Sequence, residues 1–109
     1  MTFSATLETI GDTATITLSG ELDASTASAF KTEVEKAVST NPKRLILMMR
    51  DLVYMASAGL RVLIFAKQKM GNVADIYLVS LQEMVLDTVE KTGFHHSVII
   101  VDEPDGLIV

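Results

Sequence analysis

The chain has 109 residues, 49% of them hydrophobic and 21% charged, which suits a globular domain with its own core and excludes a disordered chain. It contains no Cys, so disulfides, thiolate nucleophiles and Cys-based zinc sites are excluded. Its formal charge of −5 makes nucleic acid and anionic membrane surfaces unexpected partners, because both reward clustered Lys and Arg.

Residues Met1 to Thr6 lack the positive and long apolar regions of a signal peptide. Apolar runs such as Leu45–Met49 and Val62–Ala66 fall far short of the ~20 residues that cross a bilayer. A cytoplasmic address is expected. Thr6–Glu8 and the alternating Thr13–Leu18 flank Gly11-Asp12, the signature of a β-hairpin. Ala14, Ile16 and Leu18 would then face a core, with Thr13, Thr15 and Thr17 on the wetter side.

Gly20-Glu21-Leu22-Asp23 reads as a loop entering a helix over Ala24–Ser39, where Ala27, Phe30, Val34, Ala37 and Val38 recur at helical spacing. Asp23 and Ser25 are its candidate N-caps, and Asn41-Pro42 ends it. Leu45–Met49 is continuously apolar, as in a central strand covered on both faces. A helix is predicted from Ser57 to Met70, stopped by Gly71. Its first half is apolar nearly all round, broken only by Arg61, which predicts deep packing; Lys67 and Lys69 form its solvated side. A strand over Asp75–Ser80, a helix over Leu81–Thr92 before Gly93, and a strand over Ser97–Val101 complete the chain. The order β-β-α-β-α-β-α-β predicts an α/β fold spanning residues 1–109 as one domain. Its sheet is mixed and mostly parallel, with an N-terminal antiparallel hairpin, three main helices and right-handed crossovers.

Neither a Walker phosphate loop nor a Gly-x-Gly-x-x-Gly dinucleotide fingerprint is present. Met55-Ala56-Ser57-Ala58-Gly59 resembles a nucleophile elbow only in part, because Met55 stands where the strained turn demands Gly. The base would have to be His95 or His96, oriented by Asp102 or Asp105, and no second signal marks an oxyanion hole. Adjacent histidines also lack metal-ligand spacing. The expectation is a non-enzyme without cofactor or metal. What simple packing does not demand is Gly20–Asp23 before the first helix and Ser57 opening the second. Both follow strands of a parallel sheet, so Asp23 and Ser57 are expected on one rim. Helix capping is the alternative role for each.

Taken together, strand–Gly-Glu-Leu-Asp–helix and Asp51-Leu-x-x-Met-x-Ser57-x-Gly59-Leu60–helix resemble the STAS domains of bacterial anti-sigma factor antagonists. The likeness runs in order and spacing through Gly93-Phe94. It implies that Ser57 is phosphorylated by an anti-sigma factor that is also a serine protein kinase. The unphosphorylated protein would bind that kinase, with a serine phosphatase resetting the cycle by partner switching. Asp23, Ser57, Gly59 and Arg61, with Gln68 beyond them, would form the partner-binding surface. Two positions depart from the family pattern: Ala56 replaces its Asp and Ala58 its second Ser. The tail, Pro104–Val109, is short for the family's closing helix. An alternative within the same fold is a constitutive scaffold domain, not phosphorylated, in a signalling assembly. Some STAS domains bind nucleotides, although no phosphate-cradling loop marks such a site here.

Overall fold

The computed structural model describes residues 2–71 and 74–103. The hairpin forms as predicted: β1 (Ser4–Ile10) pairs antiparallel with β2 (Thr13–Leu22), from Ser4 opposite Ser19 to Ile10 opposite Thr13. Parallel pairing then adds β3 (Arg44–Met55), β4 (Asp75–Val79) and β5 (Ile99–Val101), so the five strands lie in chain order. Three helices make the crossovers: α1 (Ala27–Val38), α2 (Ser57–Met70) and α3 (Glu83–Lys91). Each crossover steps one strand in the same direction. Crossovers of one hand therefore place all three helices on one face. Phe30 and Val34 of α1, Leu63 of α2 and Val85 and Val89 of α3 accordingly share one core with Ile16, Leu47 and Leu78 of the sheet.

The sequence reading needs four corrections. Gly20–Leu22, expected as loop, belongs to β2 and pairs with β3 as far as Leu22 opposite Met55. β3 continues past the apolar run Leu45–Met49 to Met55, with Arg50 and Asp51 as exposed strand residues. Twice along this pair β3 carries one residue more than β2, between Met48 and Asp51 and between Leu52 and Tyr54. Such bulges re-aim side chains. As a result Met49, Leu52 and Met55, three apart, are all buried in the core, where a regular strand would alternate.

The first helix starts at Ala27, three residues later than predicted, with Thr26 and not Asp23 or Ser25 at its N-cap. And α2 is less deeply packed than its composition implies: Ile64 is 38% exposed and Phe65 only half-buried. The reason is that α1 and α3 leave one stripe of α2 uncovered. Short shifts of one or two residues affect the ends of β4, α3 and β5, with a 3-10 turn at Phe94–His96 before β5. Lys43 and Asp75 hold the sheet's opposite edge together, the Asp75 N–H donating to the Lys43 C=O at 3.0 Å. None of the helices is long and apolar enough to cross a membrane, among the described residues.

Candidate functional site

The rim begins where β2 and β3 end side by side. Leu22 and Met55 are register partners, and the Ala56 N–H donates to the Leu22 C=O at 2.8 Å. Asp23 follows Leu22 directly, and Ser57 follows Met55 by two residues. The topology therefore brings Asp23 and Ser57 to the same edge of the sheet, on neighbouring strands whose backbones run ~5 Å apart.

Asp23 is fixed by a compact turn. Its Oδ1 accepts the Ser25 hydroxyl at 2.6 Å and the Ser25 N–H at 2.9 Å, and the Thr26 hydroxyl oxygen lies 3.3 Å from it. Thr26 Oγ1 in turn accepts the Asp23 N–H at 2.9 Å and lies 3.0 Å from the Glu21 C=O, to which it donates. The Asp23 C=O accepts the Thr26 and Ala27 N–H groups at the entrance to α1. Donation from the Ser25 side chain, then from its backbone, holds the Asp23 carboxyl below the usual carboxylate range. Asp23 is therefore a fixed anion at neutral pH. Sequence reading missed the parts of Thr26 and Ser25 in this turn, although an Asp followed two and three residues on by hydroxyls is the signal of an Asx turn.

Ser57 is the first residue of α2, exposed, with Ala56 in the N-cap position. Alanine offers no side-chain oxygen, and the first turn carries no acidic residue. The capping alternative for Ser57 thus does not describe its position, since it stands one residue inside the cap. Among the described residues its hydroxyl has no hydrogen-bond partner. A free hydroxyl here stands beside helix N–H groups that favour a negative charge.

Gly59 is buried beneath this rim and not on it. A β-carbon at Gly59 would lie 2.6 Å from Leu22 Cγ and 3.0 Å from Met55 Cγ, so its small size lets the first turn of α2 sit on the strand ends. Arg61 and Gln68 are exposed along the same helix. Ile64, between them, is an apolar member of the exposed stripe that sequence periodicity had assigned to the core.

The Ser–His pairing fails on topology. His95 and His96 precede the start of β5, whereas Ser57 follows the end of β3, and β3, β4 and β5 are parallel. The two groups thus occupy opposite ends of the sheet. The histidine rings lie tilted against each other with centroids 3.9 Å apart, and among the described residues the buried His95 Nδ1 has no hydrogen-bond partner. Asp105 and the tail Pro104–Val109 lie outside the described residues. No group of three or more His, Cys, Asp or Glu suited to a metal ion occurs among the described residues.

Comparison with known proteins agrees with this architecture. The chain is 29% identical over 59 residues to the anti-sigma-F factor antagonist RsfB of Mycobacterium tuberculosis; the match spans about half the length of each protein, 54% of this chain and 48% of RsfB. The fold is similar to the crystal structure of an anti-sigma factor antagonist from Mycobacterium paratuberculosis, with a TM-score of 0.87 at 20% identity over 95% of this chain and 89% of that one. It is also similar to the unphosphorylated form of the anti-sigma factor antagonist SpoIIAA, with a TM-score of 0.80 at 18% identity over 97% and 100% of the two chains. Residues 4–105 match the STAS domain family model, and the chain belongs to the STAS domain family.

Proposed function

We propose that this STAS domain is an anti-sigma factor antagonist that switches partners according to the phosphorylation state of Ser57. The observation that carries the reading is the exposed, unpartnered Ser57 hydroxyl at an uncapped helix start, on the same rim as the anionic Asp23. The similar protein SpoIIAA has been solved in both an unphosphorylated and a phosphorylated form. In the proposed cycle the unphosphorylated rim binds an anti-sigma factor with serine kinase activity, which transfers phosphate to Ser57 from its own ATP. A serine phosphatase restores the free hydroxyl.

Physical chemistry makes such a switch workable without refolding. A phosphate adds about 1.5 to 2 negative charges at pH 7. The first-turn N–H groups of α2 and its dipole favour that anion, so the fold tolerates it. A partner's acidic group ~6 Å away is repelled by on the order of 1–3 kcal/mol per charge pair at an effective dielectric near 20. Losing ~3 kcal/mol weakens binding more than a hundredfold. The small neighbours Ala56, Ala58 and Gly59 leave the hydroxyl open to another protein's active site. Ala58 also leaves Ser57 as the one hydroxyl in Met55–Leu60.

The test is intact-mass spectrometry of the protein isolated from its native cells, with peptide mapping, followed by binding of the copurifying kinase to Ser57→Ala and Ser57→Asp. One phosphate on Ser57, retained binding by Ser57→Ala and lost binding by Ser57→Asp are expected. An unmodified Ser57 across growth conditions, or equal binding by both variants, would replace the switch with a constitutive scaffold role, with Ala56 in place of an acidic residue as the cause.

A further inference from the structure

The stripe of α2 left uncovered leads away from Ser57 to a second feature. A cleft of about 250 Å³ opens between the two adjacent helices, lined by Glu35 and Val38 of α1, by Ser39 just after it, and by Phe65 and Lys69 of α2. Small-molecule pockets run from ~300 to 1,000 Å³, so this cleft has room for one apolar side chain rather than a ligand of that kind. Its floor is aromatic and its rim is basic. The Lys31 ammonium stands 4.7 Å from the Phe65 ring centroid and that of Lys69 stands 5.7 Å from it, within cation–π range.

These cations differ from most others of the molecule. Lys36, Lys43, Arg50 and Lys91 each lie within 4.0 Å of a carboxylate, whereas among the described residues Lys31 and Lys69, like Arg44, Arg61 and Lys67, do not. In a chain of net charge −5, two unpaired cations over one half-buried aromatic ring, against the Glu35 carboxylate of the cleft lining, form a local reversal of sign. The dipole of α2 explains Lys69, which sits in that helix's last turn. It does not explain Lys31, which lies toward the N-terminal half of α1, where the dipole gives a cation no advantage.

We propose that this cleft docks an acidic segment of a partner protein, which places one apolar side chain over Phe65 and its carboxylates against Lys31 and Lys69. Phe65 follows Ser57 by eight residues, ~12 Å along the helix axis, which is beyond the Debye length at ordinary salt. Docking here is therefore a contact separate from the Ser57 rim and insensitive to the charge on Ser57.

The experiment is a two-dimensional ¹H–¹⁵N NMR titration of the full chain with a synthetic acidic amphipathic peptide of Glu and Leu. A Lys–Leu peptide of the same length and a single-stranded oligonucleotide serve as comparisons. Amide shifts centred on Val38, Ser39, Phe65 and Lys69 with the acidic peptide alone are expected. The double variant Lys31→Glu, Lys69→Glu should weaken binding roughly tenfold at low salt, while Ser57→Asp changes it less than about twofold. Both lysines are exposed, so the variant's dispersed spectrum reports that it is folded. Absence of shifts at millimolar peptide, shifts elsewhere on the surface, equal binding of either comparison molecule, or unaltered binding by the double variant would overturn the proposal. Loss of binding in Ser57→Asp would place the peptide on the rim instead, and would also overturn it.

Discussion

Gly59 packs so closely on Leu22 that a β-carbon at position 59 would stand 2.6 Å from the Leu22 Cγ. This contact sets the height at which the first turn of α2 rests on the end of β2. It therefore sets where Ser57 sits relative to Asp23.

Gly59→Ala should destabilise the domain by about 1–3 kcal/mol, the usual cost of an added carbon in a packed core. For a domain near this size that is a fall of roughly 4–8 °C in Tm per kcal/mol, readable by thermal or urea unfolding. Helix propensity works the other way, since Ala is favoured over Gly inside a helix by ~1 kcal/mol. A stabilised variant would mean that Leu22 and Met55 move aside freely and that the contact does not constrain the rim.

Ser57 offers a separation of stability from binding. Because its hydroxyl is exposed and unpartnered, Ser57→Ala should change the unfolding free energy by less than about 0.5 kcal/mol. Ser57→Asp should stabilise the fold by about 0.3–1 kcal/mol, as a carboxylate in the first turn meets the uncapped N–H groups. Urea unfolding curves of the two variants measure both effects. A large loss of stability in Ser57→Ala would show that the hydroxyl has a structural partner after all.

The Asp23 turn should carry a pH signature. A carboxyl whose pKa is lower in the folded state than in the unfolded state contributes stability at pH values above the unfolded value, about 3.9 for Asp. That contribution is lost as pH falls through the lowered folded value. The Ser25 amide, which donates to Asp23 Oδ1, is the probe: its NMR shift should stay flat from neutral pH down to the ordinary carboxylate range and titrate only below it. In Thr26→Val the Asp23 N–H loses its acceptor, which costs about 1 kcal/mol and should speed amide exchange at Asp23 and Ser25. An ordinary titration midpoint for that amide would mean that the turn opens in solution.

Much of this molecule was legible in its order of residues. The Gly11-Asp12 turn between alternating strands, the helical spacing of Phe30, Val34 and Ala37, and Gly71 after Met70 each carry a local physical rule, and the elements appear where those rules place them. The alternation of strands and helices was sufficient for the parallel sheet. That Asp23 and Ser57 follow neighbouring strands was likewise implicit in the order of elements.

Tertiary structure alone decided the rest. Gly20–Leu22 looked like a loop because Gly and Glu are poor strand formers, yet pairing with β3 holds them in the sheet. The polar Arg50-Asp51 hid the membership of β3 of the six residues Arg50–Met55, because two bulges shift the pleat and no period of two survives them. Helix α2 is apolar nearly all round, so its sequence does not say which stripe the neighbouring helices cover. Only the placement of α1 beside α2 exposes Ile64 and leaves Phe65 half-buried beneath Lys31 and Lys69. Local propensities act over a few residues, whereas burial of a side chain depends on elements that are distant along the chain.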